Sequence, residues 1–277
     1  MNNNKVVWIT GASSGIGRAL ALQFAAVNSK LILSSRNAEA LNRVKQLCIA
    51  KNINMNEADI FVLAFDVTDE KNIENIVAQA KSFNERIDLL INNAGISQRS
   101  SLLDTEMSTY RKLFDIDVFA PIALTKLVIP IMIKQGSGHI VVTSSVAGKI
   151  GVPFRTGYCA AKHAMMGFFD ALRTEVAQHN IKVSTITPGY IKTDVSKNAI
   201  TGNGSTFGKT DQSIENGMPV EKCAKVIVSG LRKGKPEIAV GQGPEMVVLK
   251  LKRFFPRLVF KLMAKQYKNI SVSNELE

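Results

Sequence analysis

Tyr158 and Lys162 stand four residues apart in a segment with a helical apolar pattern, so both side chains lie on one helix face. A phenol titrates at about pH 10. An adjacent ammonium stabilises the phenolate and lowers that value. The pair therefore makes a general acid/base suited to proton transfer near neutrality. Upstream, Ser144 and Ser145 close an apolar, β-branched run. A hydroxyl there can donate to a carbonyl oxygen as charge builds on it. Each signal also has a plain reading: Tyr and Lys share many helix faces, and serine pairs form turns. Cys159 and His163, beside the pair, are assigned to structure rather than chemistry, because helix neighbours point about 100° apart.

Independently of that pair, the chain's first apolar run ends in a place for a phosphate-bearing cofactor. Thr10-Gly11-Ala12-Ser13-Ser14-Gly15-Ile16-Gly17 passes directly into a helical pattern. Gly11 permits a tight turn, Gly15 lets backbone approach a phosphate, and Gly17 allows the helix to pack closely on the strand. A pyrophosphate would meet the free N–H groups of the helix start, with Ser13, Ser14 and Ile16 around it. The second apolar run ends in Ser35 and Arg36, where an NAD-selective site usually places an acid. A guanidinium can bind a 2′-phosphate bidentately, which points to NADP(H). Asp66 and Val67 follow the third run and are expected at the adenine. Asn93, Ala94 and Gly95 follow the fourth and are expected against the cofactor, with a purely structural Asn93 as the alternative.

These groups sit at the ends of β-branched runs that alternate with helix-length amphipathic segments. The strands expected are Lys5–Thr10, Lys30–Ser35, Ile60–Phe65, Leu89–Asn92, His139–Thr143, Lys182–Thr187 and Glu237–Val240. The helices expected are Gly15–Asn28, Ala38–Lys51, Glu70–Asn84, Met107–Lys134, Gly157–His179 and Val220–Lys233. Such alternation predicts an α/β fold, a doubly wound parallel (Rossmann) sheet covered on both faces. It occupies residues 1–245 as a single domain, with a basic amphipathic extension over 246–277. Thr193–Gly217, rich in Gly, Ser, Thr and Asn, reads as a long mobile loop facing the substrate. Val152, Phe154 and Phe207 are its candidate apolar contacts.

Composition sets the class. Hydrophobic residues make up 45% and charged residues 21% of 277, which suits a globular protein. No uncharged apolar run reaches the length of a membrane span, and Met1–Lys5 does not resemble a signal peptide. Cys48, Cys159 and Cys223 are far apart, so free thiols in a reducing, cytoplasmic compartment are expected, and no metal. The net charge of +12 invites a nucleic-acid reading, but seven of the 35 basic residues lie between Met246 and Lys268, so no nucleic-acid partner is expected.

Taken together, the chain resembles the short-chain dehydrogenase/reductases over about residues 5–240. The matching motifs are Thr10-Gly-Ala-Ser-Ser-Gly-Ile-Gly17, Asn92-Asn-Ala-Gly95, Ser145, Tyr158-Cys-Ala-Ala-Lys162 and Pro188-Gly-Tyr-Ile-Lys-Thr193. Pro153–Tyr158, Asn198–Ser205 and Phe255–Met263 are similar to the branch called dehydrogenase/reductase member 7B and its bacterial relatives. Members of that branch in higher cells often carry an N-terminal membrane segment, so a bacterial, cytoplasmic form is expected here.

The resemblance implies a carbonyl or secondary alcohol substrate, NADP(H), and a homodimer or homotetramer. It makes Tyr158 the proton carrier. Lys162 would bind the nicotinamide ribose and lower the tyrosine pKa. Ser145 would polarise the substrate, and Ile191 and Thr193 would hold the carboxamide. One position departs. The family places an asparagine on the fourth helix to anchor a relay water. Counting from Gly95 puts Asp117 there, with Asp115 as the alternative register. An NADP(H) sensor that has lost catalysis, and an isomerase or dehydratase of nucleotide sugars, are the competing classes. The intact Ser145, Tyr158 and Lys162 argue against the first, and the short chain beyond residue 200 against the second. In the tail, Leu251, Phe254, Phe255, Leu258 and Leu262 recur at helical spacing among lysines and arginines. Pro256 should divide that helix. The segment 246–268 is expected either to lie on an anionic membrane or to pack on the protein itself.

Overall fold

The computed structural model describes residues 5–275, with side chains through Lys268. Seven strands form one parallel sheet in the order β3-β2-β1-β4-β5-β6-β9. They are β1 (Val6–Thr10), β2 (Lys30–Ser34), β3 (Ile60–Val62), β4 (Leu89–Asn92), β5 (Gly138–Thr143), β6 (Ile181–Pro188) and β9 (Glu237–Val240). Two-residue strands β7 (Ile191–Lys192) and β8 (Met218–Pro219) pair separately. β3 is shorter than expected, yet the backbone beyond it still pairs. Leu63 N–H donates to the Leu33 carbonyl and Phe65 N–H to that of Ser35, which carries Asp66 to the sheet edge.

Every residue of β1 is buried, as a central strand covered on both faces requires. Val7 and Ile9 join one core with helices α1 (Gly15–Ala25), α2 (Ala38–Lys51) and α8 (Val220–Arg232). Val6 and Trp8 join the other, under α3 (Ile73–Ser82), α5 (Ala120–Gln135) and α6 (Thr156–Glu175). The expected helix Met107–Lys134 is one continuous rod made of α4 (Met107–Phe114), a π-helical turn (Asp115–Phe119) and α5. It is long and apolar enough to cross a membrane by composition. Here it packs on the sheet, with Leu113, Leu124 and Val128 fully buried.

Two segments differ from expectation or refine it. Thr193–Gly217 is folded rather than loose. Ile200 bridges Gln98 and Thr206, α7 (Gln212–Glu215) lies within it, and Asp211 accepts from both Arg99 and Arg155. Its polar residues bond one another and the body. The tail divides at Phe255 into α9 (Pro244–Phe254) and α10 (Pro256–Glu275), as Pro256 dictates.

Candidate active site

The C-terminal ends of the strands open into a cleft of about 680 Å³ that runs from β3 across to β6. At its centre, β1 turns into α1. Gly11 and Gly15 have left-handed backbone, φ +65° and +52°. A Cβ on Gly11 would lie 2.9 Å from the Ala94 Cα, and one on Gly17 would collide with the Gly11 carbonyl. Gly17 is thus a packing residue outside the cleft, while Gly11, Ser13, Ser14, Gly15 and Ile16 line it. The Ser14 side chain makes no capping bond, so the first N–H groups of α1 remain open to an anion. These features fit a dinucleotide pyrophosphate.

At the β2–β3 end, Ser35, Arg36, Asp66 and Val67 line the cleft. Asp66 accepts from the Thr68 N–H and hydroxyl at 3.0 and 2.8 Å. Burial raises its carboxyl pKa, but the Thr68 bonds and nearby Arg36 outweigh it and hold the group below its usual range. Arg36 itself is exposed and makes no ion pair among the described residues.

Asn93, Ala94 and Gly95 line the middle of the cleft. Asn93 also has a structural job. Its Nδ2 donates to the Thr10 carbonyl at 3.1 Å and its Oδ1 accepts from Thr143, so it ties β1, β4 and β5 together. Beyond it, Pro188, Ile191 and Thr193 close the far end, and Thr193 Cγ2 lies 3.4 Å from where a Gly15 Cβ would be.

Tyr158, Lys162 and Ser145 meet on one wall of this same cleft. Ser145 Oγ accepts from the Ala147 N–H at 3.1 Å, and its hydroxyl faces Tyr158. Ser144 is structural: its buried Oγ donates to the Lys162 carbonyl at 3.0 Å. Lys162 Nζ donates to the Thr143 carbonyl at 3.3 Å and lies 3.2 Å from Asp117 Oδ2. Asp117 Oδ1 accepts from the Ile96 N–H at 2.8 Å. The π turn swings Asp117 inward beside Lys162, while Asp115 stays exposed.

The charges follow from this packing. Burial works against the Lys162 ammonium, but Asp117 and Tyr158 outweigh it and hold the lysine above its ordinary range. Burial pulls the Asp117 carboxyl upward, against Lys162 and the Ile96 N–H. Tyr158 sits above its ordinary value. Burial is the main cause, Lys162 and Ser145 pull it down, and Asp117 pushes it up. The pull of Lys162 is therefore outweighed by burial and Asp117.

Gln98 is a residue that pattern reading missed. It is fully buried; its Oε1 accepts from the Gly157 and Tyr158 N–H groups at 2.7 and 3.2 Å and so caps α6. Its Nε2 donates to Ser100 and Thr105. A polar residue three positions after Gly95 was the available clue. Val152, Phe154 and Phe207 do not line the cleft. Phe154 stacks on Tyr267, Val152 borders the crevice beneath the C-terminal helix, and Phe207 lies under Arg99. Ile96, Ile116, Val195, Ile200 and Ile214 supply the apolar wall instead. Cys159 is buried, as expected; His163 is exposed, its Nδ1 on the Cys159 carbonyl.

Comparison with known proteins agrees with this geometry. The short chain dehydrogenase family matches residues 5–204. Dehydrogenase/reductase SDR family member 7B of Bos taurus is 39% identical over 94% of this chain and 81% of its own. Family member 7 of Homo sapiens is 40% identical over 91% and 74%. Among solved structures, a short-chain dehydrogenase from Streptomyces avermitilis superposes with TM-score 0.76 at 29% identity, covering 99% of this chain and all of that one. A Burkholderia phymatum short chain dehydrogenase/reductase in complex with NAD shares the fold, with TM-score 0.80 at 22% identity over 93% and 95% of the two chains. The chain belongs to the short-chain dehydrogenase/reductase family of NAD(P)-dependent oxidoreductases.

Proposed function

We propose that the protein is an NADP(H)-linked reductase or dehydrogenase acting on a fairly apolar ketone or secondary alcohol. One observation carries the reading: Ser145, Tyr158 and Lys162 converge on the wall of the cleft whose floor is the Gly11–Gly15 turn. A nicotinamide cofactor, when bound, supplies or takes up the hydride. The Tyr158 hydroxyl gives its proton to the carbonyl oxygen in reduction and removes it from the alcohol in oxidation. The Ser145 hydroxyl donates to the same oxygen as charge builds there. Lys162, kept charged by Asp117, binds the ribose and favours the phenolate. Ile191 and Thr193, which line the cleft, would hold the carboxamide, and Asp117 would anchor the proton relay.

Arg36, exposed and without an ion pair among the described residues, stands beside Ser35 and supports NADP(H) over NAD(H). The isoleucine and valine wall supports an apolar substrate. The half-exposed Phe119 and Ile133, on the outer side of the rod, support a homodimer or homotetramer. The test is NADPH oxidation against ketones of increasing chain length and ring number. Turnover rising with apolar size supports the reading; NADPH binding without turnover on any ketone supports a sensor instead.

A further inference from the structure

The two C-terminal helices lean on the body by one side only. In α10, Val259 is buried, and Phe260, Met263 and Ala264 face Pro153 and Cys159 across an apolar crevice of about 470 Å³. Tyr267 stacks on Phe154 with ring centroids 5.0 Å apart. In α9, buried Glu245 accepts from the Tyr190 N–H, and Lys252 donates to the Lys149 carbonyl. The opposite side is bare. Val247, Phe254, Phe255, Leu258 and Leu262 are between 41 and 72% exposed. Among them stand Lys250, Arg253, Arg257, Lys261, Lys265 and Lys268, all exposed. None of the six pairs with an acid among the described residues, and no acid occurs between Met246 and Lys268.

We propose that this outer face of α9 and α10 docks on an anionic lipid bilayer. A basic face interspersed with bulky apolar side chains is what the headgroup boundary accepts: the phenylalanines enter the acyl edge and the cations meet the headgroups. A second copy of the chain is a poor occupant, because a symmetric contact would set these six cations against their own equivalents. A polyanion in water would neutralise the lysines and arginines but leave the aliphatic Val247, Leu258 and Leu262 wet. A charged bilayer answers both requirements.

The experiment is sedimentation of the full chain with vesicles of phosphatidylcholine alone or mixed equally with phosphatidylserine. Binding is expected only to the mixed vesicles and should fall as salt rises, since the Debye length shrinks from about 10 Å at 0.1 M to about 3 Å at 1 M. Two variants separate the contributions. Arg257→Glu with Lys261→Glu and Lys265→Glu, and Phe254→Ser with Phe255→Ser, should each weaken vesicle binding at least tenfold. Unchanged thermal melting and NADPH binding would show that both remain folded. Protein left in the supernatant with mixed vesicles at low salt overturns the proposal. So does charge-variant binding equal to the parent. Loss of a dimer in the phenylalanine variant by analytical ultracentrifugation overturns it in favour of self-association, and tighter binding to duplex DNA than to mixed vesicles does so in favour of nucleic acid.

Discussion

Lys162 Nζ and Asp117 Oδ2 lie 3.2 Å apart, both side chains almost wholly excluded from solvent. Gly95 passes directly over them; a Cβ there would sit 3.0 Å from Asp117 Oδ1 and 3.2 Å from Lys162 Nζ. Tyr158, the proton carrier of the proposed function, therefore sits beside a buried ion pair. The two charges act on the phenol in opposite directions.

That arrangement predicts the behaviour of Asp117→Asn. Removing the anion takes away one cause of the raised Tyr158 pKa. Alcohol oxidation needs the phenolate, so its pH–rate limb should move to lower pH with activity retained or increased. A shift to higher pH would mean that Lys162 lost its charge with its counterion. Abolished activity with the fold intact would make the carboxylate itself a required proton carrier.

Gln98 is predicted to act by positioning. Gln98→Leu leaves the Gly157 and Tyr158 N–H groups without their acceptor and frees the start of α6. kcat should fall about 10- to 100-fold, the scale of a misplaced reacting group. NADPH affinity should change little. Equal loss in kcat and cofactor affinity would point to general unfolding of the cleft.

The proposed preference for NADP(H) rests on Arg36. Arg36→Leu removes a charge-assisted contact of about 1.5–3 kcal/mol, so NADPH should bind roughly 10- to 100-fold more weakly. NADH binding should be nearly unchanged. Comparable loss for both would reduce Arg36 to a structural residue.

Acid stability should depend on His139. It is 7% exposed, bonded to Ser184 at 2.8 Å, and burial depresses its pKa from 6.5 to about 4. The unfolded chain takes up this proton first as pH falls. The stability this neutral histidine provides is therefore complete above about pH 6.5 and lost between there and about pH 4, amounting to roughly 3 kcal/mol. Thermal melts across that window should show a steeper decline for the parent than for His139→Gln.

The sequence disclosed the scaffold better than the site's supports. The strands Leu89–Asn92 and Glu237–Val240 and the helix Ala38–Lys51 fall where periodicity places them, because continuous apolar runs and amphipathic faces report burial locally. The glycine turn, Ser145, Tyr158 and Lys162 share one cleft because each is tied to a strand end or a helix face, but local pattern alone did not mark the last three as a site; the family resemblance did. Gln98, the Arg99–Asp211–Arg155 clamp and the order within Thr193–Gly217 were not legible. Their partners lie 56 to 112 residues away, and nothing in a local window records that distance. The π turn that turns Asp117 inward is equally invisible to a 3.6-residue pattern.

The central claim is that Tyr158 moves the substrate proton. Its most direct measurement is NADPH-dependent reduction of the best ketone from the panel by the parent and by Tyr158→Phe, alongside NADPH binding for both. The account predicts a fall in kcat of at least ~10²-fold with cofactor affinity preserved. Turnover near the parent rate in Tyr158→Phe would contradict it.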